Sequence, residues 1–146
     1  MATKVFLHDA ASDINPGAEL EKLVDLTQGA SAVTKATNTV AGPTAGVQCT
    51  DGAGGTALTW LTKPLNAVTI SGTVTFNIRL RQSNMAANSG PQVKVERTNG
   101  AGAVLSTIVA SEHGTETGTG ETTHNWTATP TSTTLAAGDR LKITLL

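Results

Sequence analysis

The chain has 146 residues, a net charge of −1 from ten basic and eleven acidic side chains, and one cysteine. That length suits a single domain whose core needs no staple, and a lone cysteine excludes an intrachain disulfide, which fits a reducing cytoplasm. Balanced charge with no basic stripe argues against nucleic acid as a partner, and no apolar run approaches the roughly 20 residues that cross a bilayer. The opening MATKVFLHDAASD has no apolar core after Lys4, so a soluble chain without an export signal of its own is expected. Threonine is unusually abundant: 26 residues, beside 15 glycines, no tyrosine and only 14% charged side chains. A β-branched side chain is stiff at χ1 and fits a pleated surface better than a helix, so the composition predicts strands with uncharged polar outer faces.

In chain order, residues 4–8 are the first strand candidate. Residues 18–26 (AELEKLVDL) place Leu20, Leu23 and Val24 at i, i+3 and i+4 after Asn15-Pro16, the pattern of a helix start. So short a helix is marginal alone, and an irregular arm with one helical turn satisfies the same residues. Residues 29–46 are low-complexity Ala, Thr, Val and Gly, and read as a loop or a weakly specified edge. Residues 46–50, 58–61 and 67–71 follow as short strands. Between the first two, Asp51-Gly-Ala-Gly-Gly-Thr56 lacks the lysine of a phosphate loop and reads as a turn.

The strongest signal is residues 72–82 (GTVTFNIRLRQ). Val74, Phe76, Ile78 and Leu80 alternate there with Thr73, Thr75, Asn77, Arg79 and Arg81. Residues 92–97 repeat the alternation with Val93 and Val95 inward, after the turn Ser89-Gly90-Pro91. Asn99-Gly100 then turns the chain into residues 103–110 as a hairpin partner. Residues 114–123 (GTETGTGETT) read as a loop or a weakly specified edge, residues 125–129 as a strand around Trp126, and residues 140–146 (RLKITLL) as a last strand with Leu141, Ile143 and Leu145 on one face. The set predicts an all-β fold, an antiparallel β-sandwich, and parallel α/β architecture is unlikely because no crossover helices separate the strands. Residues 1–46 would form an arm with the first strand or strands, packing on the same domain or a neighbour, and residues 47–146 the sandwich.

No constellation predicts catalysis, a cofactor or a metal. Glu112, His113, Glu116, Glu121 and His124 have the residue types of a zinc site, but no pair has helical ligand spacing, and the stretch reads as a solvated polar loop. His8, Asp9 and Asp13 read as turn caps at a strand end. Cys49 has no active-site flanks and reads as a small buried apolar residue, and no Gly-x-Ser-x-Gly elbow exists. For sugar binding, Phe76 and Trp60 read as core, which leaves Trp126 as the one aromatic free to stack on a ring. The chain is not expected to be an enzyme.

Several stretches resemble a family of small tailed-bacteriophage structural proteins found as virion accessory components: MATKVFLHDAASD, GGTALTWLTKPL, SGTVTFNIRLRQSN followed by AANSGPQVKV, and LAAGDRLKITLL. The resemblance covers most of the chain. It implies a jelly-roll-like β-sandwich on the capsid exterior, a decoration or cement protein made in the host bacterial cytoplasm. Its partners would be the major capsid protein and further copies of itself, a trimer being favoured. Residues 135–141 (LAAGDRL) are similar to the turn before the last strand of many jelly rolls, where Gly138 would relax the backbone and Asp139 would bond to it. An arm that cannot bury itself in its own domain orders on a neighbour. The expected partner contacts are therefore Thr3, Lys4, Val5, Phe6, Leu7, Asp9, Asp13, Leu20, Leu23 and Leu26. A tail, collar or fibre-associated protein and a carbohydrate- or cell-surface-binding module are the alternatives.

Overall fold

A computed structural model describes residues 5–14, 22–25, 50–51, 56–57, 59–82, 90–113 and 115–145. Among them the fold is all-β, without a helix. Its strands are β1 (Phe6–Ala11), β2 (Lys22–Asp25), β3 (Thr50–Asp51), β4 (Thr56–Ala57), β5 (Thr59–Thr62) and β6 (Val68–Ile70). They continue with β7 (Val74–Leu80), β8 (Gln92–Thr98), β9 (Val104–Glu112), β10 (Thr122–Ala128), β11 (Thr133–Leu135) and β12 (Arg140–Leu145). One six-stranded sheet runs β1-β2-β5-β12-β8-β9, and β10-β7, β11-β6 and β3-β4 form two-stranded sheets.

The alternation in β7 takes the expected form: Phe76 is buried and Val74, Ile78 and Leu80 are half-buried, while Thr75, Asn77 and Arg79 are exposed. β10 pairs with it antiparallel, setting Trp126 opposite Phe76 and His124 opposite Ile78. β12 lies between β5 and β8 and pairs antiparallel with both. The core gathers Trp60, Val93, Val95, Val109 and Leu145 from the six-stranded sheet, with Phe76 from β7 and Leu135 from β11. Each such buried apolar side chain contributes about 1.5–3 kcal/mol.

One expectation is corrected and two are refined. The segment read as a helix or irregular arm contains a strand, β2, which pairs with β1 and β5. A helix this short has too few internal hydrogen bonds to compete with ladders on both sides. The described strands pair antiparallel as expected, with one exception: β2 runs parallel to β5, with Leu23 opposite Leu61. The stretch 114–123, read as a loop or a weakly specified edge, ends in β10, which begins at Thr122, and β11 has no counterpart among the expected strands. Both carry threonines whose outward side chains disguise the inward His124 and Leu135.

The Asn99 turn joins β8 to β9. Its Oδ1 accepts from the amides of Ala101 and Ala103 at 3.0 and 2.9 Å, and Gly102, at φ 87°, takes the left-handed position. β9 is an edge strand, and its ladder to β8 is interrupted by two register shifts, at Val95/Glu96 and at Arg97/Thr98. Irregularities of this kind twist an edge away from foreign strands. Cys49 and residues 26–49 lie outside the described residues.

Candidate functional site

Two constellations stand out among the described residues, one polar and one aromatic. The first is built on Arg140, at the start of β12 and 4% exposed. Its Nη1 and Nη2 donate to the two carboxylate oxygens of Asp13 at 2.5 and 2.9 Å. Nη1 also donates to the Thr62 carbonyl at 2.9 Å, and Nε to the Gly100 carbonyl at 3.0 Å. One guanidinium fork therefore joins the segment after β1, the end of β5 and the β8–β9 turn, a geometry no lysine reproduces. The Arg140 guanidinium holds the Asp13 carboxyl below its ordinary value.

Next to it in sequence stands the predicted turn before β12. Gly138 has φ 92°, and Asp139 Oδ2 accepts from the Ala136 amide at 2.8 Å and from Arg97 Nε at 2.6 Å. The Ala136 amide, with Arg97 behind it, lowers the Asp139 carboxyl. The roles expected for Gly138 and Asp139 are both seen. The turn is further stitched to Leu65, whose amide donates to the Asp139 carbonyl at 2.8 Å and whose carbonyl accepts from Gly138 at 2.9 Å.

The second constellation is aromatic. The Trp126 ring lies 5.0 Å from Phe76 on one side and 5.0 Å from the stacked His113 ring on the other. His113 meets His124 nearly edge-on at 5.1 Å. His124 is 2% exposed, and its Nε2 has no hydrogen-bond partner among the described residues. Burial, reinforced by His113, pushes the His124 imidazole below its ordinary value.

Of the residues tested for a metal, the fold brings His113 and His124 together and gives Glu116 and Glu121 other partners. Glu116 accepts from Gln82 Nε2 at 3.1 Å, and Glu121 pairs with Arg79 at 2.8 Å on the exposed face. Among the described residues, no group of three or more His, Cys, Asp or Glu side chains is placed to hold a metal ion. His124 is thus not part of a solvated loop. The signal was its place two residues before Trp126 on one strand face, visible only once β10 is started at Thr122. Trp126 is likewise packed rather than free to stack on a sugar.

The expected partner contacts that are described lie on or beside the paired strands β1 and β2. Val5 is 44% exposed, Leu7 packs against the core, and Asp13 is held by Arg140. Phe6 and Asp9 lie on β1 and Leu23 on β2, while Thr3, Lys4, Leu20 and Leu26 lie outside the described residues. His8 and Asp9 are on β1, upstream of Asp13. Among the described residues no helix is long and apolar enough to cross a membrane. No protein-family model, curated protein or solved structure matches this chain.

Proposed function

We propose that this chain is a structural virion protein, a decoration or cement protein that stabilises a tailed-phage head by bridging major capsid subunits. In this reading it is a jelly-roll-like β-sandwich with an N-terminal arm, acts as a trimer on the capsid exterior, and performs no catalytic step. The resemblance that runs from MATKVFLHDAASD to LAAGDRLKITLL carries the proposal. The polar geometry is in keeping with a structural role, because the Arg140 and Asp139 groups join strands to one another. The exposed face of β7 and β10 offers Thr75, Asn77, Asn125 and Thr127, and exposed Val5, Val68, Val104 and Leu105 offer apolar contact to a partner.

A protein that binds the assembled shell and not free subunits stabilises the shell by mass action, and several weak contacts per trimer multiply through avidity. Cryo-microscopy of the virion tests the reading. Density for the chain at symmetry points of the head lattice is expected. Its absence from the head refutes the proposal, and about six or twelve copies at the tail would move the chain to the tail-associated alternative, since copy number follows the symmetry of the site.

A further inference from the structure

We propose that His124 is the proton switch of an acid-responsive latch, in which its protonation releases His113 and residues 115–121 from the β7–β10 sheet and uncovers Trp126 while the six-stranded sheet stays folded. The inference stands apart from the virion reading and rests on the packing of one strand face.

His124 is enclosed by β7, by its own strand and by the segment that follows β9. Opposite it on β7 stands Ile78, and the neighbouring cations Arg79 and Arg81 are on the exposed face, Arg79 engaged by Glu121. The following segment brings His113 at 5.1 Å, and Glu116, which is occupied by Gln82. Glu112 closes β9 one residue before His113. The neutral imidazole fits this enclosure even though Nε2 has no partner among the described residues. A protonated one would add a buried donor and a full charge, with a second imidazole beside it to repel that charge. Burying an unpaired charge is far more costly than exposing a short loop. Consistent with this, burial already disfavours the charged form of His124.

Polar contacts hold the covering segment, among them the exposed Arg79–Glu121 pair at 2.8 Å. The His113 amide donates to the Pro91 carbonyl at 2.9 Å, and the Gln82 amide to the Gly118 carbonyl at 3.0 Å. Gln82 Nε2 adds its bond to Glu116 at 3.1 Å. The stretch TETGTGE has no large apolar side chain to anchor it. Such segments open at low free energy, independently of the sheets beneath them. The stack of His113 on Trp126 makes the indole a reporter of the event.

The test is amide exchange by NMR on the full chain between about pH 7.5 and about pH 5, the range in which histidine changes charge. If opening takes up one proton, the opening constant of the Gln82 and His113 amides rises by about tenfold per pH unit below about 6.5. The Trp126 indole resonance moves with it, while the Trp60 indole and the amides of Val95 and Ile143 stay protected. In His124→Phe, which keeps an aromatic ring and removes the proton site, Gln82 and His113 remain protected throughout. Three results overturn the latch: no change in the two amides, their loss together with Val95 and Ile143, or acid opening of His124→Phe like that of the native chain. If that variant fails to fold, the native chain decides alone. The His124 imidazole titration and the opening must then share one midpoint, and separate midpoints refute the proposal.

Discussion

At the scale of single residues, this fold concentrates its consequences in a few positions that local sequence patterns rank as ordinary. Arg140 reads as an outward polar residue in the alternation RLKITL, yet it is 4% exposed and satisfies Asp13, Thr62 and Gly100 together. Replacing it with alanine orphans two carbonyls and frees a carboxylate that is partly in water. Arg140→Ala should therefore cost about 2–3 kcal/mol, toward the low end for a broken buried pair. Asp13→Asn should cost about 1 kcal/mol or less, because the 42% exposure of the Asp13 side chain lets solvent screen the pair. Urea denaturation of both variants measures the contrast, and equal losses would contradict this division of roles. Two glycines separate conformational strain from space. A Cβ added at Gly138, where φ is 92°, would meet nothing within 4 Å, so Gly138→Ala should cost about 1–2 kcal/mol from backbone strain alone. At Gly90 a Cβ would stand 3.0 Å from the His113 carbonyl oxygen and 3.3 Å from that of Thr115. Gly90→Ala should therefore displace the residues around His113, seen as altered His113 and Trp126 resonances, whereas Gly138→Ala leaves those resonances in place. The Gly138 turn was legible because Gly-Asp before an apolar strand has a local cause. The role of Arg140 was not, because its partner Asp13 is 127 residues away in sequence.

At the scale of elements, β7 and β10 show where sequence periodicity succeeds and where it stops. In β7 the inward positions are all apolar, so alternation alone reveals the strand and its buried face. The inward positions of β10 include His124 and Trp126, and its first residues continue a Gly/Thr stretch, so the same period is present without the hydrophobic contrast that exposes it. β2 was obscured for a different reason. Leu20, Leu23 and Val24 satisfy a helical spacing, but Leu23 and Val24 are consecutive and serve a strand equally well once β1 and β5 provide partners. The union of β7 with β10 is testable through its central pair. Phe76 and Trp126 face each other in register, with ring centroids 5.0 Å apart at a 35° tilt. Phe76→Ala should cost about 3–5 kcal/mol from lost burial and the cavity left behind. A double-mutant cycle with Trp126→Ala should return a coupling of about 0.5–1.5 kcal/mol, the range for aromatic pairs. A coupling indistinguishable from zero would mean that the two strands are held by backbone pairing alone.

At the scale of the whole molecule, the fold is closed by contacts between distant parts of the chain, and several of these depend on charge state. β12 lies between β5 and β8, and Arg140 at its start ties in the segment after β1. Acid should therefore act on the molecule in two separate windows. The carboxyls of Asp13 and Asp139 are held below their ordinary value of 3.8 by Arg140 in one case and by the Ala136 amide and Arg97 in the other. A carboxyl whose folded-state pKa is depressed binds fewer protons folded than unfolded. Its stabilisation is complete above the unfolded value and is lost as pH falls through the folded one. These two groups thus weaken the fold below about pH 4. His124 shifts the same way for the opposite reason, since burial penalises its cationic form. Below its ordinary value of 6.5 the unfolded chain takes up a proton that the closed structure refuses, so stability falls as pH drops from there toward the folded-state value. Urea midpoints across this range should be flat above about pH 7 and decline below about 6.5, by at most about 1.4 kcal/mol per pH unit for one proton. A second decline should follow below about pH 4, where the two aspartates titrate. His124→Phe should remove the first decline and leave the second, while Asp13→Asn should soften the second and leave the first. A single decline abolished by neither substitution would show that neither His124 nor Asp13 governs the response to acid.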